Sequence, residues 1–140
     1  MTLQRFIDAQ ENVYSQVVTE LREGEKRSHW MWFIFPQILG LGKSETARFY
    51  AIVDLREARA YVEHPLLGQR LRECAQLMVN VNNKTAGQIL GFPDDLKLRS
   101  SMTLFSMVSD APVFQWVLDK YFDGETDDQT LRRIGVGIEL

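Results

Sequence analysis

His29-Trp30-Met31-Trp32-Phe33-Ile34-Phe35-Pro36 is the stretch on which the fold reading turns. The apolar run from Trp30 to Phe35 suits either a buried strand or a buried helix, because periodicity does not separate the two over so short a segment. A strand needs a partner strand, and none is evident elsewhere in the chain. The run therefore reads as a short buried helix over 29–35, stopped by Pro36. Proline has no N–H to donate and pushes the residue before it out of helical geometry.

Working outward, both flanks read as helix. Phe6, Val13, Val17 and Leu21 recur at helical spacing, which predicts one helix over 2–22 ended near Gly24. After a glycine loop at 38–43, Ser44 caps a helix to about Val53, and Asp54 caps the next, with Glu57 as a capping-box partner. Pro65 fits the first turn of a helix to about Val79 whose apolar face is Leu67, Leu71, Cys74, Leu77 and Met78. Thr85 and Gln88 form a capping-box pattern for a short helix ended by Gly91. Pro93 opens a helix through Val108, Pro112 another through Phe122, and Asp127 a last short one. The expectation is an all-α fold: a compact multihelical array of about eight helical pieces. It forms one domain over 1–140 with a loose tail from about residue 135.

Composition agrees. A chain of 140 residues suits one domain and can bury a core without disulfides. Sixteen basic against nineteen acidic residues leave a net charge of −3, which argues against general nucleic-acid binding. Cys74 is the single cysteine, so no internal disulfide forms and a reducing compartment, by default the cytoplasm, is expected. No signal peptide or membrane span is read. Two histidines and one cysteine lack metal-ligand spacing, so neither a metal nor a cofactor is expected.

Two polar clusters are candidates for a site. The first is Lys26-Arg27-Ser28-His29-Trp30-Met31-Trp32, extended to Gln37. His29 suits a general base, histidine being the side-chain type whose charge changes near neutral pH. Trp30 and Trp32 suit a stacking wall, although two residues apart on a helix they point differently, so at most one lines a pocket. Arg27 and Ser28 are candidate ligand contacts, Arg27 as a cation that would steady a phosphate. The second cluster is Asp94-Asp95-Leu96-Lys97-Leu98-Arg99-Ser100-Ser101. Asp94, Lys97 and Ser101 stand at i, i+3 and i+7, on one helical face that continues into the core at Leu98 and Phe105. Asp94 and Asp95 are candidate catalytic carboxylates beside His29, although acidic residues in a first turn also favour the helix dipole. Lys97, Ser100, Ser101 and Gln37 are candidate ligand contacts. Gly40-Leu41-Gly42-Lys43-Ser44 fails as a P-loop because Gln37 stands where the first glycine is required, which leaves at most an anion held on backbone amides.

The segments Ser28 to Gln37, His64-Pro65-Leu66-Leu67-Gly68, and Asp94-Asp95-Leu96-Lys97 followed by Ser100-Ser101-Met102-Thr103-Leu104-Phe105 resemble the bacterial domain-of-unknown-function family 1810. The resemblance covers nearly the whole chain and extends to Ala9-Gln10 and Leu118-Asp119-Lys120-Tyr121-Phe122. It implies an all-helical single domain. It brings no established activity, hence no catalytic residue. Some members carry a calpastatin label, but calpastatin repeats are disordered until they fold on a protease, unlike an apolar-rich chain able to fold alone. The residue types suit a small-molecule site for a nucleotide or an ADP-ribose-like ligand, with hydrolysis as the chemistry if there is any. The alternative is a non-catalytic protein-interaction domain presenting a groove.

Overall fold

The computed structural model describes residues 2–135. Ten helices follow in order among them: α1 (Gln4–Gln10), α2 (Tyr14–Glu23), α3 (Met31–Ile34), α4 (Glu45–Phe49), α5 (Leu55–Glu63), α6 (Pro65–Asn80), α7 (Ala86–Leu90), α8 (Asp94–Ser106), α9 (Val113–Phe122) and α10 (Asp128–Arg133). The fold is an all-helical single domain. The tail expected from about residue 135 lies, beyond Gly135, outside the described residues.

The caps fall where side-chain chemistry puts them. Ser44 accepts from the Ala47 N–H, Asp54 from Glu57 and Asp127 from Thr130. Thr85 and Gln88 form the reciprocal capping box. His64 is itself a cap: its Nδ1 accepts from the N–H groups of Leu66 and Leu67 at 3.1 and 3.2 Å, and Pro65 occupies the first turn. Gly24 closes α2 at φ 71°, where a side chain would be strained.

Two expected helices are shorter than their patterns. The chain leaves helix between Gln10 and Tyr14, so α1 packs on α3 while α2 packs on α6. One straight helix could not reach both. The break is held by buried Gln10, whose amide donates to the Phe33 carbonyl at 2.8 Å and to the Tyr61 hydroxyl at 3.1 Å. The helix expected from Ser44 to Val53 ends at Phe49. Residues 51–53 are drawn away because Ile52 forms an isolated parallel bridge with Ile38. There its N–H reaches the Gln37 carbonyl and its carbonyl accepts from Leu39, both at 2.8 Å. Glu57 also departs from the box. It accepts from the Val53 N–H and pairs with Arg5 at 3.2 Å, and Arg5 in turn donates to the carbonyls of Phe49 and Ala51.

The core lies around α6, which packs against α2, α3, α5 and α9. Helix α8 packs on α5, α7, α9 and α10. Tyr61, Phe105 and Phe114 stack in series, with centroids 5.4 and 6.1 Å apart. Trp30, Met31, Ile34 and Phe35 are buried, so the apolar run from Trp30 to Phe35 is a core helix, with one turn of regular geometry.

Candidate functional site

The first cluster is organised by a residue the pattern did not single out. Glu20, on α2 and fully buried, accepts from five donors: the Arg27 N–H at 2.8 Å, the Ser28 N–H at 3.2 Å, the Ser28 hydroxyl at 2.8 Å, the Trp30 indole at 2.9 Å and the Gln16 amide at 2.7 Å. Burial by itself raises its pKa. The backbone and side-chain donors overcome that and hold the carboxyl down to about 2. Glu20 therefore pins the turn after α2 to α2 itself.

That arrangement reassigns several expected ligand contacts. Trp30 is 1% exposed with its N–H on Glu20, so it presents no face to a ligand. Ser28 spends both its backbone N–H and its hydroxyl on Glu20. The Arg27 guanidinium is exposed and pairs with Glu23 and Glu25. His29 is exposed and makes no hydrogen bond among the described residues. It stands outside the walls of the cleft described next.

The two clusters meet through Lys26. Its N–H donates to the Ile89 carbonyl at 2.7 Å, and its ammonium lies 5.3 Å from the Trp30 ring centroid and 2.9 Å from Asp94 Oδ2. Asp94 Oδ1 holds Lys97 at 3.2 Å, and the Lys97 ammonium lies 5.4 Å from the Trp32 ring centroid. Asp94 is thus shared by two lysines, and Lys97 by Asp94 and Trp32. Asp95 stays local, with Oδ1 accepting from the Leu96 N–H at 3.0 Å.

Lys97 lines a cleft of about 360 Å³ between the loop after α3 and the outer side of α8. Gln37, Leu41 and Gly42 form one wall; Pro93, Leu96, Lys97, Arg99 and Ser100 form another; Asp127 and Gln129 close the end. Arg99 is anchored to the α9–α10 connection by donating to the carbonyls of Glu125 and Thr126 at 3.1 and 2.7 Å. The Ser100 hydroxyl is 3.3 Å from both the Leu96 carbonyl and Asp127 Oδ2, which also accepts from Thr130. Trp32 lines a second, much smaller hollow that shares Gln37 and Gly42 with the cleft. The glycine loop is packed and not open: a Cβ on Gly42 would sit 2.5 Å from that of Ala47, and Ser44 already caps α4. Ser101 is fully buried on α8, and its hydroxyl has no partner among the described residues.

Gln37, Lys97 and Ser100 thus come together, with Trp32 adjoining. Arg99, Leu41, Asp127 and Gln129 join them, and sequence reasoning missed their part. The available signal was Asp127 as a helix start, since a cap packed on α8 brings that turn to Ser100. A larger hollow of about 700 Å³ lies over α1 and α4, but its cation, Arg5, is consumed by Glu57 and backbone carbonyls. The cleft at Lys97 is the better candidate because Lys97 lines it, is partly exposed and pairs with a single carboxylate. No group of three potential metal ligands converges among the described residues, and no helix among them is long and apolar enough to cross a membrane.

No curated protein matches the chain. It is similar to a solved structure, the conserved hypothetical protein Rv1873 from Mycobacterium tuberculosis, at 51% identity over 96% of each chain with a TM-score of 0.94. The family model described as protein of unknown function DUF1810 matches residues 1–134, and the chain belongs to that family.

Proposed function

We propose that this protein binds a small phosphate-bearing molecule of the nucleotide or ADP-ribose kind in the cleft beside Lys97. The observation that carries the reading is the Lys97 ammonium, placed on the wall of a cleft of about 360 Å³ and next to the Trp32 ring. That volume falls within the range of ordinary small-molecule sites. A phosphate engages Lys97, Gln37 and Gln129 offer hydrogen bonds, and Leu41 and Leu96 offer apolar surface to a ring. Binding is favoured over hydrolysis: Asp94 is paired with two lysines, and His29 does not line the cleft. The lone buried Cys74 suits the reducing cytoplasm of a bacterium. Calorimetric titration with ADP-ribose and with inorganic phosphate tests the reading. Saturable binding, weakened about tenfold or more by Lys97→Ala with the fold retained, is expected for a charge-assisted contact. Binding that is absent, or indifferent to Lys97→Ala, rejects it.

A second reading rests on Phe92, 80% exposed at the turn before α8, with Leu96 nearby at 48%. An aromatic so placed is a suitable anchor for a protein partner. A stoichiometric partner recovered with the native chain and lost with Phe92→Ala, but kept with Lys97→Ala, would favour it.

A further inference from the structure

Lys97 does not wait for a ligand unpaired. Asp94, one turn earlier on α8, holds its ammonium at 3.2 Å, while the other oxygen of the same carboxylate holds Lys26 at 2.9 Å. The two lysines differ in access. The Lys26 side chain is 9% exposed and packed against Trp30, whereas that of Lys97 is 26% exposed and lines the cleft. Lys26 is held in place by its burial, by Asp94 and by the Trp30 ring. Lys97 can swing from Asp94 toward the opening along its flexible stem. A phosphate entering the cleft meets an ammonium already satisfied by a carboxylate, and a negative charge behind it.

We infer that Asp94 is a built-in competitor for the ligand's phosphate: it occupies Lys97 in the empty protein, and binding proceeds by transferring Lys97 from Asp94 to the phosphate. The inference rests on the reading of the cleft given above. Asp94 is then a positioning residue that weakens binding in proportion to its charge. Its pairing with Lys26 keeps it in place when Lys97 leaves, so the exchange is reversible without rearrangement of α8. Anions with one diffuse charge compete poorly for Lys97, and phosphate monoesters or diphosphates compete well.

The test is the affinity of the full chain for ADP-ribose and for inorganic phosphate, measured by calorimetry in the native protein, Asp94→Asn and Lys97→Ala. Because Asp94→Asn strands the buried Lys26 ammonium, Lys26→Met/Asp94→Asn is measured beside it; it removes both halves of the buried pair and leaves Lys97 free. In either background the inference expects tighter binding by about two- to fivefold, the worth of releasing a partly exposed pair. Binding detectable once Asp94 is neutralised, but not in the native chain, supports it more strongly still. Native binding that Lys97→Ala weakens, with affinity unchanged or reduced on neutralising Asp94, overturns the inference and leaves the binding reading standing. Absence of binding in every form, or binding indifferent to Lys97→Ala, overturns both.

Discussion

Glu20 and Asp94 are both buried or nearly buried carboxylates that receive donors from the segment between α2 and α3, yet they do opposite work. Glu20 is closed: five donors saturate it and no solvent reaches it. Asp94 is half-open, 19% exposed in its side chain, and its partners are two charges of unequal access. The first arrangement spends polar groups on holding a turn. The second leaves one cation at a cleft. The cluster of histidine, tryptophan and basic residues in sequence is thus mostly structural, held by Glu20 and Asp94, and only Trp32 and Gln37 adjoin or line the cleft at Lys97.

The largest effect expected from breaking this contrast is at Glu20. Glu20→Gln replaces an acceptor-only carboxylate by a group that brings donors into a ring of donors. It should lower stability at pH 7 by about 3 kcal/mol, a fall in Tm of roughly 10 °C, checked by differential scanning calorimetry. A loss below about 1 kcal/mol would mean that the ring is not what holds the turn. The acid limb sharpens the point. The folded value of Glu20 is held to about 2 against an ordinary 4.5, so its stabilisation is fully present above pH 4.5 and drains away as pH falls toward 2. Urea melts between those pH values should show a slope in the native chain that Glu20→Gln loses in large part. If the two slopes coincide, other carboxylates account for the acid limb.

Lys97→Ala should do the reverse, changing stability by less than about 1 kcal/mol, as befits a partly exposed pair, while removing most ligand affinity. Loss of fold in that variant would place Lys97 with Glu20 and collapse the contrast. Smallest of all, Ser101→Ala should change stability by no more than about 0.5 kcal/mol and with either sign. The hydroxyl it deletes is buried with no partner among the described residues, so its removal also relieves an unsatisfied group. A loss above about 2 kcal/mol would show that the hydroxyl is bonded in solution.

Local chemistry was legible in the sequence, and long-range chemistry was not. Asp54, Thr85 and Asp127 cap the helices that their positions announce, because a cap involves residues three apart. The all-helical class followed from treating Trp30 to Phe35 as a helix. The break after Gln10 was hidden, because Phe6, Val13, Val17 and Leu21 keep one continuous period and what interrupts it is Phe33 and Tyr61, far along the chain. Glu20 was hidden for the same reason: on a helix it looks like any solvated acid until the turn at 27–30 folds back on it. The shortened α4 needed the Ile38–Ile52 bridge, which no local rule places. Lys97, Ser100 and Gln37 were found by residue type, but the walls supplied by Leu41, Asp127 and Gln129 required the tertiary fold.

The three tryptophans give the molecule an optical readout of its own. Trp30 is sealed at 1% exposure against Glu20, Trp32 is half-buried beside Lys97, and Trp116 stands 48% exposed on α9. Their emission should be graded by depth, with Trp116 the first to yield to an aqueous quencher and Trp30 the last. In Trp116→Phe, the signal of Trp32, 5.4 Å from the Lys97 ammonium, should respond to what happens there, so the proposed entry of a ligand into the cleft would be followed by light with no label added.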